Sequence, residues 1–141
     1  MKFIVSFLLI VTLMACETST QVEGTGDDLK DGANVILSRF GENNSPTPVD
    51  TTQVSGNSFS FELNGDNTQD INIIQIDGIN GNIIFIDEGI PINIDVDTEN
   101  PRESTIDAGP HNKYLKDYIS ILTELSEEGN FLQNEFMKAR Q

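Results

Sequence analysis

One cysteine, one histidine and no tryptophan occur in the 141 residues. The lone thiol, Cys16, has no disulfide partner, and once it is modified no thiolate remains for nucleophilic catalysis or metal binding. The lone imidazole, His111, would have to carry any histidine-ligated metal site or Ser-His-Asp triad by itself. Positive charge is almost as scarce: eight basic side chains face 23 acidic ones, a net charge of −15. Between Arg39 and Arg102 there is no basic residue and there are eleven carboxylates. Such a field repels nucleic acid and anionic lipid head groups, so neither is an expected partner. There is only one sustained apolar run, Phe3 to Met14. At ~12 residues it is too short for a membrane span, which takes ~20.

That run follows the charge of Lys2 and ends at a small residue, Ala15, the layout of a secretory signal. Leu13-Met14-Ala15-Cys16 resembles the lipobox of bacterial lipoproteins, in which the cysteine is acylated and becomes the new N-terminus. The expected organisation is a signal peptide over 1–15, a lipidated tether over 16–21, a β-sandwich domain over 22–109 and a helical linker or C-terminal helices over 110–141. The membrane partner is then reached through lipid on Cys16, since two or more acyl chains anchor stably where one does not. Glu17 followed by Thr-Ser-Thr makes no strong acidic export cluster, so the expected location is a membrane-anchored lipoprotein of the bacterial envelope facing the periplasm.

From Val22 onward apolar residues recur mostly at period two between closely spaced turn residues, the pattern of an all-β unit. Asn34–Phe40 reads as a strand entered through Asp31-Gly32, and Gly41–Pro48 as a loop. Asp50–Val54 is β-rich by propensity. Ser58–Leu63 alternates Phe59, Phe61 and Leu63 against Ser60 and Glu62, a half-buried antiparallel strand. Ile71–Ile76 changes phase at Ile73-Ile74, so it is buried on both faces or bulged. Asn82–Ile86 is a continuous apolar strand with the look of a central one. Asp87-Glu88-Gly89 resembles a three-residue hairpin loop. Ile90–Val96 alternates cleanly, with Pro91 placing its start at an edge. After Pro110 the period lengthens: Leu115, Tyr118, Ile119, Leu122 and Leu125 form a helical stripe expected to pack on the sandwich or on a partner. Gly129 closes that helix and Asn130 caps a second one running toward Gln141. The fold class is all-β, an antiparallel β-sandwich of about seven strands followed by one or two C-terminal α-helices.

No set of residues has the spacing of a catalytic site. His111, near Asp107, reads as an exposed residue of the first helical turn. Asp95, Asp97 and Glu99 are weak candidates for a calcium site. They lack the central glycine and the distal bidentate glutamate of an EF-hand loop, and solvated strand-end charge is the default reading. Phe59, Phe61 and Phe85 read as core. No cofactor is expected.

Three stretches in register resemble one known family: Asp31 to Leu37, Asp50 to Phe61 through Gly56, and Phe85-Ile86-Asp87-Glu88-Gly89-Ile90-Pro91-Ile92-Asn93-Ile94. It is the N-terminal domain of unknown function in Bacteroidetes-type envelope lipoproteins, which commonly precedes a thioredoxin-like or peroxiredoxin-like domain. The likeness runs from about Val22 through Asn112 and Tyr114. It implies a β-sandwich and a helical linker leading to a thiol–disulfide oxidoreductase domain. The sequence to Gln141 holds no Cys-x-x-Cys, so no redox residue carries over. The leading expectation is a non-catalytic lipid-anchored module that binds or positions a thioredoxin-like partner. The alternatives are the N-terminal part of a lipid-anchored thiol–disulfide oxidoreductase and, more weakly, a calcium- or glycan-binding sandwich.

Overall fold

The computed structural model describes residues 19–40, 45–64 and 69–140, so Cys16 and the signal segment lie outside the described residues. Eight strands form two four-stranded sheets, followed by one long helix. The first sheet has the order β4-β1-β7-β8, from Ser58–Asn64, Ser19–Thr25, Ile92–Asp95 and Thr105–Asp107. The second has the order β3-β2-β5-β6, from Pro46–Gln53, Asn34–Phe40, Ile71–Ile76 and Ile83–Ile86. A single 3-10 turn, Pro101–Glu103, precedes β8, and α1 spans Pro110–Ala139.

Alternation in the sequence becomes burial between the sheets. Val22 in β1, Phe59, Phe61 and Leu63 in β4, and Ile92 and Ile94 in β7 meet Val35, Leu37, Ile74, Ile76, Ile83 and Phe85 from the second sheet in one cluster. Each residue is nearly or wholly excluded from water, and each large side chain contributes about 1.5–3 kcal/mol on burial. Phe59 and Phe61 pack edge to face, with centroids 5.9 Å apart. Gly24 lies directly across from Phe59 in the β1–β4 register. The Phe59 ring occupies the space that a Cβ on Gly24 would take.

Several local expectations change. β1 opens at Ser19, so residues 19–21 belong to the sheet and not to a tether; Thr20 and Val22 point inward on the same face. β3 starts at Pro46, inside the expected loop. It tolerates Pro46 and Pro48 because it is an edge strand, where a missing N–H need not break a ladder. The sandwich is not wholly antiparallel, since β1 and β7 run parallel in the register Val22↔Ile92. The chain visits the whole second sheet between these strands, and so long a connection permits parallel pairing.

Ile71–Ile76 is buried on both faces, as its phase change requires, through Ile73 and Ile74. The register shift lies instead between β2 and β3 at Leu37/Ser38. β6 is an edge strand and not a central one. Its continuous apolar character reflects a helix over its outer face. Asp87-Glu88-Gly89 is no hairpin loop; it carries the chain from β6 in one sheet to β7 in the other, with Gly89 at φ +72°. Pro91 lies just outside β7, which is flanked by β1 and β8.

The helix does not stop at Gly129. A glycine inside a helix costs about 1 kcal/mol, too little to end it without a left-handed cap, and Gly129 has no positive φ. The 30 residues of α1 extend ~45 Å. Its main contacts with the sandwich are with β6 and β8. The expected apolar stripe docks in part: Leu115 and Ile119 are half-buried, whereas Tyr118, Leu122 and Leu125 are exposed.

Replacing Gly24 by alanine should force Phe59 out of its place. The expected loss is about 1–3 kcal/mol of unfolding free energy, the usual cost of overpacking, read in urea titration. A neutral Gly24→Ala would show that this pair is not tightly packed.

Candidate functional site

Helix α1 begins without a capping side chain, because its N-cap residue is Gly109. Its first amide donors therefore need an acceptor from elsewhere. Glu88, in the link between the sheets, supplies it. Glu88 Oε2 accepts from the His111 amide at 3.3 Å and from His111 Nδ1 at 2.7 Å. Glu88 Oε1 accepts from the Asn112 amide at 3.2 Å and from Asn112 Nδ2 at 2.9 Å. The acceptor-only carboxylate sets Nδ1 of His111 as a donor. Gly109 must be glycine for this approach, since a Cβ there would overlap the Glu88 carboxylate.

Asn112 completes the joint. Its Oδ1 accepts from the Ile86 amide at 2.8 Å and its Nδ2 donates to the Ile86 carbonyl at 2.8 Å. One side chain thus takes the place of a neighbouring strand at the end of edge strand β6. Asn112 is 4 % exposed and the Glu88 side chain 8 % exposed. Desolvation alone raises the Glu88 pKa. The hydrogen bonds from the backbone and side chains of His111 and Asn112 outweigh it and hold the group below the ordinary carboxylate value.

Beside this joint, α1 and the outer face of the second sheet form an open groove of about 450 Å³. Phe40, Ile71 and Ile84 line it from the sheet, and Leu115, Tyr118 and Leu122 from the helix. Ile71 is 41 % exposed and Tyr118 58 %, so large apolar side chains face water here. Arg102 and Glu127 stand at its polar rim. Contiguous apolar surface with a polar border is the usual character of a surface that takes a partner.

The residues singled out in the sequence are placed differently. His111 pairs with Glu88 and not with Asp107. Asp95 lies at the exposed end of β7, while Asp97 Oδ1 accepts from the amides of Glu99 and Asn100 in a turn. Asp95, Asp97 and Glu99 do not converge, and among the described residues no three acidic, histidine or cysteine side chains are grouped to hold a metal ion. Cys16 lies outside the described residues. Glu88 and Asn112 were not legible as partners; the one available signal was a helix start with glycine where a capping side chain is usual.

Asn112→Ala should cost about 1–3 kcal/mol in urea unfolding, because it strips partners from the Ile86 amide and carbonyl. The lowered Glu88 pKa contributes stability that is present above the unfolded value of 4.5 and lost as pH falls through the folded value. The Glu88→Gln variant should therefore lose less stability between pH 6 and pH 3 than the parent does. Equal acid slopes would remove Glu88 from the account.

No curated protein matches the sequence. Residues 20–115 match the domain of unknown function DUF4369. The matched stretch runs from β1 through the first turns of α1 and takes in Glu88, Gly109 and Asn112. Covering more than half of the sequence, this match shows that the chain belongs to the DUF4369 family.

Proposed function

We propose that the chain is a non-catalytic, lipid-anchored envelope module that binds a thioredoxin-like protein or domain and positions it near the membrane. The observation that carries the reading is the groove between α1 and the second sheet, whose apolar lining stays in water although a well-packed core lies beneath it. The lipobox resemblance at Leu13–Cys16 supports acylation of Cys16 and a periplasmic site. The resemblance to domains that precede thioredoxin-like folds supports the class of partner. The strongly acidic surface adds selectivity, since it disfavours acidic partners and leaves apolar contact as the main source of affinity.

The binding test uses a purified thioredoxin-like domain from a lipoprotein that carries both domains, titrated calorimetrically against this protein. Ile71→Lys and Leu122→Asp should each weaken binding tenfold or more, a loss of at least about 1.4 kcal/mol. Both positions are substantially exposed, so the thermal midpoint should hardly move. No binding by the parent, or binding indifferent to both substitutions, overturns the proposal. For the anchor, Cys16→Ser should release the protein from the membrane fraction or leave it unprocessed. Unchanged fractionation together with unchanged lipid labelling would refute acylation.

A further inference from the structure

Beyond the groove, α1 runs on and its apolar stripe continues from Leu122, which the groove shares. Leu122, Leu125, Gly129, Leu132, Phe136 and Ala139 follow one another at spacings alternating between three and four. That is the a/d order of a heptad repeat, which selects another helix as occupant. Leu125, Leu132 and Phe136 are each about 60 % exposed, so more than half of each side chain faces water. We infer that this distal half of α1 pairs in parallel with the same segment of a second copy of the chain.

Charge complementarity favours a second copy and sets its direction. In a parallel pair the flanking g and e positions meet five residues apart. Ile121 then faces Ser126 of the second copy, Glu128 faces Gln133, and Glu135 faces Arg140, with no like-charge contact. Arg140 is already folded toward the seam, its guanidinium 5.4 Å from the Phe136 ring centroid. Glu135 accepts from Lys138 through one oxygen only, Oε1 at 2.8 Å. The antiparallel alternative, with Leu122 against Leu132 and Leu125 against Gly129, brings the two Glu128 carboxylates together at the axis. Acidic repulsion in a chain of net charge −15 makes that arrangement the poorer one. Gly129 occupies one core layer without a side chain, and space around it is open. The pair is therefore weakened at its centre and dissociates on dilution.

Sedimentation equilibrium of the purified full chain over a range of concentrations tests this inference. A reversible monomer–dimer equilibrium is expected. Leu132→Lys should weaken it at least tenfold, and Gly129→Leu should strengthen it at least tenfold by filling the empty layer. The direction is read from charge exchange. Glu135→Arg alone and Arg140→Glu alone should each dimerise more weakly than the parent, whereas an equimolar mixture of the two should form the heterodimer preferentially. Circular dichroism and the thermal midpoint of dilute samples check that each variant stays folded. Monomer at every concentration, a dimer indifferent to Leu132→Lys, or charge variants that do not recover on mixing would each overturn the parallel pair. Loss of thioredoxin-like binding without loss of dimer would bear on the groove and leave this inference standing.

Discussion

The carboxylate of Glu88 and the carboxamide of Asn112 hold together two parts of the molecule that share little apolar contact. A sandwich can bury its own core without a helix, and a helix of this length has no reason to lie at a given angle to it. The joint removes that freedom. Glu88 takes over the role of the missing cap at Gly109, and Asn112 locks the helix start to the backbone of Ile86. Because the donors are backbone amides and a buried carboxamide, the joint has direction as well as strength, which apolar contact alone lacks. The groove beside Ile84 and the direction in which α1 leaves the domain are both consequences of it.

Charge shapes how the surfaces behave. With so few cations available, ion pairs contribute little to stability; among the described residues they include Arg39 with Asp70 at 3.4 Å and Lys138 with Glu135 at 2.8 Å. Exposed pairs of this kind are worth at most about 1 kcal/mol. The core and the β ladders must therefore carry the fold. Net negative charge keeps copies apart at long range, so contacts between them are confined to surfaces where apolar area or a local cation compensates.

Much of the sandwich was legible because burial on one face imposes period two. β2 and β5 have the bounds expected from pattern and turn residues, and β4 differs by one residue. What escaped has physical reasons. β1 begins with Ser19, Thr20 and Gln21, whose polar composition says nothing of pairing with Asn64, Leu63 and Glu62. β3 carries two prolines that read as loop until its edge position is known. Gly129 has the residue type of a stop without the conformation. The joint was illegible because its partners lie 23 to 26 residues apart and are polar, so no periodicity marks them. The groove depends on how a helix lies on a sheet, which composition does not encode.

Asn112 has one more effect, on what the sheets can recruit. An open strand edge offers a row of amides and carbonyls that any extended peptide can join, the usual seed of aggregation. At β6 that invitation is withdrawn by a side chain that answers both groups of Ile86. At the opposite margin of the same sheet, Pro46 and Pro48 in β3 lack the donors that an incoming strand would use. Backbone-driven recruitment is hindered at Ile86 on one border of the second sheet and at the two prolines on the other. At those positions a partner gains by reading side chains, so selectivity there leans on shape more than on the common grammar of the peptide bond.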